Sequence, residues 1–405
     1  MFQWGQFLMG SVLSIVWCLF PAIAWGADRA IINLTKQPVT IVCLGDSVTG
    51  VYYHTGGQRA YPEMLEIAIA KAAPQTRVKV INAGVSGHST SEGLARLEAD
   101  VFSHHPDVVT ISFGLNDMVR VPEDQFRTNL EKLIARCQAA QCQVVLCTPN
   151  SIIAIEGRPI ETLRNYCDVI RQVGTARGVP VCDQFAVAEA LRERDSWEWR
   201  LTLSDEIHPN MDGHKLMAEE LCRTITGQSI SLTDVQPPPH PLAKTQALLN
   251  SGQPIKVLAM PPFGALVGPA LRLRYPEAVI DVTTWPTDGK TLPELEATAN
   301  QIVRAMKPNL VILAVPRSAA AESDEQFVRS YSWVMNWSLS FGHTEWDCIV
   351  VHPSVVVAGE TSPRDELVRR LVNAQDLFLV DRDPVEDASP EVLLRRWIET
   401  HLSQP

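Results

Sequence analysis

The chain has 405 residues, 46% of them hydrophobic, and a formal net charge of −11. That length favours two or more domains, and the composition can fill a sizeable globular core in each. The acidic balance excludes a general grip on phosphate backbones or anionic headgroups, which needs clusters of Lys and Arg, so no nucleic-acid partner is expected.

Residues 1–27 hold no charged side chain and contain the apolar run Phe7 to Phe20, followed by Ala22-Ile23-Ala24 and Ala24-Trp25-Gly26 as cleavage candidates. This is the pattern of a secretory signal peptide, though without a basic residue before the run, or of an uncleaved N-terminal anchor. Either one predicts export to the periplasm or the medium. Cys18 follows Trp17 rather than a small residue, which argues against lipid acylation there. Eight cysteines remain beyond this segment: Cys43, Cys137, Cys142, Cys147, Cys167, Cys182, Cys222 and Cys348. An even count in an exported chain permits disulfides, but their places inside apolar runs also suit buried thiols. None forms a zinc pattern with histidine, so neither metal nor other cofactor is expected.

From residue 39 onward strands and helices alternate. Val39 to Leu44 is a continuous apolar, β-branched run that breaks into Gly45-Asp46-Ser47-Val48-Thr49-Gly50, a buried strand ending in a tight turn that exposes a serine. Tyr52, Tyr53 and His54 follow it. Helical periodicity covers Glu63 to Ala73, Ser91 to Phe102, Glu123 to Ala140 and Glu161 to Arg177. Between these lie Val78 to Ile81, leading into Asn82-Ala83-Gly84-Val85-Ser86-Gly87, and Val108 to Phe113, leading into Gly114-Leu115-Asn116-Asp117. Val144 to Cys147 and Val179 to Cys182 read as further strands, and His104-His105 before Pro106 as a helix end. The alternation predicts a parallel sheet with helices on both faces and functional residues at the strands' carboxyl ends.

Trp197 and Trp199 precede Thr202-Leu-Ser-Asp205-Glu-Ile-His208-Pro-Asn-Met-Asp-Gly-His214. Here a carboxylate and an imidazole stand three residues apart, the pair that a serine hydroxyl needs: a base, and an acid to orient that base. Asn210 or Asp212 can cap the helical run Lys215 to Arg223 that follows.

With these blocks in that order, residues 38–225 resemble the SGNH hydrolase superfamily, the GDSL-type esterases and lipases. The resemblance implies a three-layer αβα, flavodoxin-like fold with a parallel sheet. It implies Ser47 as nucleophile and oxyanion donor, Gly84 and Asn116 as further oxyanion donors, His208 as base and Asp205 as its orienting acid. Asp46 and Asn82 are expected to brace their loops. Val48 stands where the family's older name has leucine, a position that varies.

Residues 28–228 are thus expected to form the catalytic domain, and 229–254, with Gln236-Pro-Pro-Pro-His-Pro241, a proline-rich linker. Residues 255–405 then repeat the pattern near an offset of two hundred: Lys256 to Pro262, Ala278 to Asp281, Lys307 to Leu313, Cys348 to Ser354 and Leu377 to Asp381 echo the earlier strands. This predicts a second α/β domain of similar topology. Met260-Pro261-Pro262 replaces the serine turn, Thr283 and Ser318 lie near the positions of Gly84 and Asn116, no Asp-x-x-His follows Asp381, and His401 is isolated. The second domain is therefore expected to be inert as an esterase and to shape the cleft or bind a glycan. The whole reads as an esterase that removes short acyl groups, such as acetyl, from carbohydrates; the alternatives are a lysophospholipase or thioesterase and, in another class, a glycan-binding protein with a vestigial site.

Overall fold

The computed structural model describes Met1, Ile32, Leu34 and residues 37–402, so the expected signal or anchor segment lies, Met1 aside, outside the described residues. No described helix is long and apolar enough to cross a membrane. The first sheet contains β1 (Val39–Gly45), β2 (Val78–Gly84), β3 (Val108–Ser112), β4 (Gln143–Cys147) and β5 (Val181–Cys182), all parallel, in the order β2-β1-β3-β4-β5. β1 and β3 are buried almost throughout, which is why both read as unbroken apolar runs. Helices Tyr61–Ala72, Glu123–Ala139, Ile160–Arg177 and Met211–Thr226 cover the sheet.

The helix expected over Ser91 to Phe102 is instead Thr90–Ala95, Leu97–Asp100 and a 3₁₀ turn at Phe102–His104. The break falls at Arg96, whose guanidinium donates to Ala83 O and Gly45 O, both at 2.7 Å. A half-buried cation reaching the carbonyls at two strand ends outweighs helical continuity there. His105 takes a left-handed φ of 50°, ending this run before β3.

The second sheet contains β6 (Ile255–Ala259), β7 (Ile280–Thr284), β8 (Leu310–Leu313), β9 (Asp347–Val351) and β10 (Leu379–Val380), also parallel, in the order β10-β9-β8-β6-β7. Read from the other edge this is the order of the first sheet, and each sheet has its own apolar core. The stretch 229–254 is docked on both: Leu232 belongs to the first core, Leu242 and Leu249 to the second, and Ala243–Asn250 is helical. The eight cysteines from Cys43 to Cys348 are all buried free thiols.

Both sheets bring their first two strands to a common end, but with different residues. Gly45 pairs with Gly84 in the first, Ala259 with Thr284 in the second. Gly84 has no room for a side chain, because an added Cβ would lie 2.1 Å from the backbone nitrogen of Gly50 in the serine turn. Gly84→Ala should therefore push the two loops apart and cost at least about 1–3 kcal/mol, read as a drop in thermal midpoint; an unchanged midpoint would contradict this close approach.

Candidate active site

Ser47 stands on a turn that its neighbours hold rigidly. Asp46 Oδ1 accepts the Val48 N–H at 2.9 Å, and Asp46 O accepts the N–H groups of Thr49 and Gly50. Asp46 thus braces the loop, as expected. Ser47 Oγ lies 2.9 Å from His208 Nε2, and His208 Nδ1 lies 2.8 Å from Asp205 Oδ2. Residues 161 apart in sequence meet because one lies at the end of β1 and the other in the loop before the last helix of the first half. Asp205 Oδ1 accepts the backbone N–H groups of Ile207 and His208, so the acid is fixed by its own loop. Asn210, rather than Asp212, caps the next helix through Gly213 N–H and donates to Leu201 O.

The site's electrostatics follow from burial and from these bonds. Burial works against the charged His208 ring, but the Asp205 carboxylate and its hydrogen bond, helped by Asp46, raise its pKa above the ordinary value. For Asp205 burial is likewise outweighed, by His208 and three hydrogen bonds, and its carboxyl stays well below the usual range. Burial lifts Asp46 to about 6. Asp205, Asp46 and Arg158 act on the charge of His208, and His208 in turn acts on His54 and His214.

Several neighbours engage the relay through contacts that no local sequence pattern specifies. His54, fully buried, donates from Nε2 to Ser47 O at 3.1 Å and stacks on His208 with ring centroids 4.7 Å apart. His214 stacks on its other face at 5.5 Å. Burial keeps both neutral, pushing His54 well below the ordinary value and His214 to about 3. Tyr53 donates its hydroxyl to Asp205 Oδ2 at 3.2 Å, on the same oxygen as His208. Tyr53 and His54 are thus tied directly to the site. Trp199 is buried beneath Arg192, and Trp197 packs on the second core.

The expected oxyanion donors require one correction. Gly84 N–H donates to Asn82 Oδ1 at 3.0 Å and is already spent, with Asn82 bracing the loop as expected. In the same loop Val85 N–H donates to Gly45 O, Ser86 N–H to Tyr52 Oη and His88 N–H to Val85 O. Among the described residues the N–H of Gly87 has no acceptor; Gly87 has a φ of 77° and open space where a Cβ would stand. Gly87, not Gly84, thus keeps a free N–H in this loop, and sequence could not separate the two glycines because the difference lies in which N–H the folded loop leaves free. Ser47 N–H is similarly without an acceptor among the described residues. Asn116 donates one amide hydrogen to His88 O at 2.9 Å, and its Oδ1 accepts from Arg158 at 3.3 Å, which orients the amide and leaves its second hydrogen available.

No group of three or more His, Cys, Asp or Glu side chains among the described residues is placed to hold a metal ion. In the second sheet, Ser354, His352 and Asp381 also meet, but His352 caps the helix Pro353–Val356 and both its ring nitrogens are engaged, Nδ1 with Ser354 and Nε2 with Asp365 O. No free base is left there.

Residues 43–216 match the family model described as GDSL-like lipase/acylhydrolase. The chain carries a GDSL-like lipase/acylhydrolase domain. Over 167 residues it is 28% identical to an acetylxylan esterase of Geobacillus stearothermophilus, spanning 38% of this chain and 74% of that protein. An arylesterase of Vibrio mimicus is 34% identical over 107 residues, 26% of this chain and 52% of that one. The thioesterase 1/protease 1/lysophospholipase L1 of Escherichia coli (strain K12) is 26% identical over 187 residues, 46% and 83%. A solved lipase/acylhydrolase from Enterococcus faecalis is 29% identical with a TM-score of 0.40, covering 48% of this chain and 98% of that one. With this family and relatives named as esterases, the chain is a carboxylic ester hydrolase.

The raised His208 pKa has a kinetic consequence. A base must be neutral to accept a proton, so kcat/KM for an ester should rise with pH through an inflection above about 6.5, the ordinary histidine value, and level off beyond it. A pH profile inflecting at or below 6.5 would contradict the Asp205–His208 coupling.

Proposed function

We propose that this chain is a serine esterase that removes short acyl groups, acetyl above all, from carbohydrates. The observation that carries the mechanism is the unbroken line from Ser47 Oγ through His208 to Asp205, with separations of 2.9 and 2.8 Å. His208 Nε2 takes the hydroxyl proton as Oγ attacks the ester carbonyl. The resulting oxyanion is met by the N–H groups of Ser47 and Gly87 and by the Asn116 amide. His208 returns the proton to the departing alcohol. Water then repeats the sequence on the acyl-serine, releasing the acid and restoring Ser47. Asp205 stays ionised and holds the ring.

Two features support a short acyl group and a hydroxyl-rich alcohol. The likeness to an acetylxylan esterase spans most of the hydrolytic half. A cavity beside Gly84, between the two halves, is lined by Val51 and by Tyr52, Glu63, Asn82 and His343, the last four of which can hydrogen-bond to sugar hydroxyls. Residues 28–228 are the hydrolytic unit in this reading, 229–254 the connection, and 255–405 a unit without a nucleophile of its own. Export through the amino-terminal segment would place the enzyme where polymeric glycans occur. The likeness to a thioesterase and lysophospholipase favours a second reading, hydrolysis of long-chain acyl esters.

Hydrolysis of 4-nitrophenyl acetate, butyrate and octanoate separates the two. Serine-dependent rates that fall with chain length are expected, with Ser47→Ala inactive; rates rising toward octanoate would move the assignment to lipids. Asn116→Ala should lower kcat by about 10²–10³-fold, the usual cost of one oxyanion donor. A parent-like rate for Asn116→Ala would remove it from the oxyanion site.

A further inference from the structure

The loop that carries the acid is held from both sides by the second half of the chain. Ser204, immediately before Asp205, donates its hydroxyl to Asn336 Oδ1 at 3.0 Å and also lies 3.3 Å from Gln375 Oε1, while Asn336 Nδ2 donates to Ser204 O. Gln375 Nε2 donates to Asn336 Oδ1 at 2.6 Å and to the backbone carbonyl of Tyr53 at 2.7 Å. Ser204, Asn336 and Gln375 are each 1% exposed, so the polar groups in this cluster depend on one another. On the other side of Asp205, Glu206 pairs with Arg329 at 3.1 Å. Tyr53, whose hydroxyl reaches Asp205, packs its ring against Trp333 and Phe341, and its N–H donates to Phe341 O.

Asn336, Gln375, Arg329, Trp333 and Phe341 all come from the unit that contains the second sheet. Its stacking and hydrogen bonds therefore converge on Tyr53 and on both neighbours of Asp205. Two other ion pairs between the halves have a different character. Arg200–Glu325 and Arg370–Glu198 have exposed carboxylates and fasten the halves together, and of the two only Arg200 also reaches the acid loop, at Leu203 O.

We propose that the second half is a structural part of the active site, in which Asn336 and Gln375 act as positioning residues that clamp the acid loop at Ser204 and the Tyr53 segment in register. The inference rests on the Ser47–His208–Asp205 reading. A half without its own nucleophile thus gains a function: it fixes the carboxylate against the imidazole. A misplacement of about 1 Å in such a relay costs on the order of 10²-fold in rate. Loosening the clamp also lets Asp205 drift from His208, and the imidazolium loses the partner that raises its pKa.

Asn336→Ala and Gln375→Ala in the full chain test this with 4-nitrophenyl acetate. The clamp predicts that kcat falls about 10- to 10²-fold with KM little changed, and that the acidic limb of the kcat/KM profile moves to lower pH, toward the ordinary histidine value. Asp46 and Arg158 also act on His208 and are not replaced in these variants, and buried His54 and His214 beside it are neutral, so the shift reports Asp205. Ser204→Ala removes one hydroxyl and leaves the packing, and it decides the question should either amide variant fail to fold. A folded variant with the parent's kcat and acidic limb overturns the clamp, as does a lower kcat with the limb unmoved, which would mean a loss of stability alone. Ser47→Ala run alongside distinguishes the failures: parent-like hydrolysis there defeats the serine reading itself, whereas an inactive Ser47→Ala beside unaltered clamp variants defeats only this inference.

Discussion

Asp205 is a carboxylate placed where water hardly reaches, and everything proposed for this site depends on keeping it ionised there. Burial alone would protonate it. Two backbone N–H groups of its own loop, the His208 ring and the Tyr53 hydroxyl offset that cost. The same bonds orient His208 so that its other nitrogen faces Ser47. Each group around the relay reduces freedom at one point: Asp46 shapes the serine turn, Arg96 ties the ends of β1 and β2, and His54 lies flat on the imidazole. The site is rigid because its parts share partners rather than because any one bond is strong.

The two sheets show what a fold supplies and what it does not. Both have the same strand order and bring the ends of their first two strands together. At those ends the first offers glycines, which let a turn carry a nucleophile close to a neighbouring loop, and the second offers Ala259 and Thr284 followed by Met260-Pro261-Pro262. Topology alone does not make an esterase; the residues at the strand ends do. The buried polar contacts of the second half turn instead toward the acid loop of the first.

Much of this was legible in the sequence because its signals are local. Unbroken β-branched runs ending in Gly-Asp-Ser or Gly-Leu-Asn marked β1 and β3 and their functional ends, and Asp205-x-x-His208 is a pair that one loop can form. The parallel order of both halves followed from the alternation of strands and helices. What stayed hidden depends on long-range packing. Nothing local shows that Gly84 spends its N–H on Asn82 while Gly87 does not, that Arg96 breaks a helix to reach two carbonyls, or that Tyr53 donates to Asp205. The contacts from Ser204 to Asn336 and Gln375 span 132 and 171 residues, and no pattern in either segment announces them.

The proposed chemistry requires that Ser47 be a nucleophile activated by His208. A fluorophosphonate reagent tests it most directly, because only an activated serine oxygen displaces the fluoride and forms a stable phosphonyl ester. Mass spectrometry of the treated full-length protein should find a single adduct on the peptide containing Ser47, lost in His208→Ala. An adduct on another serine, or labelling of Ser47 that persists without His208, would contradict the account.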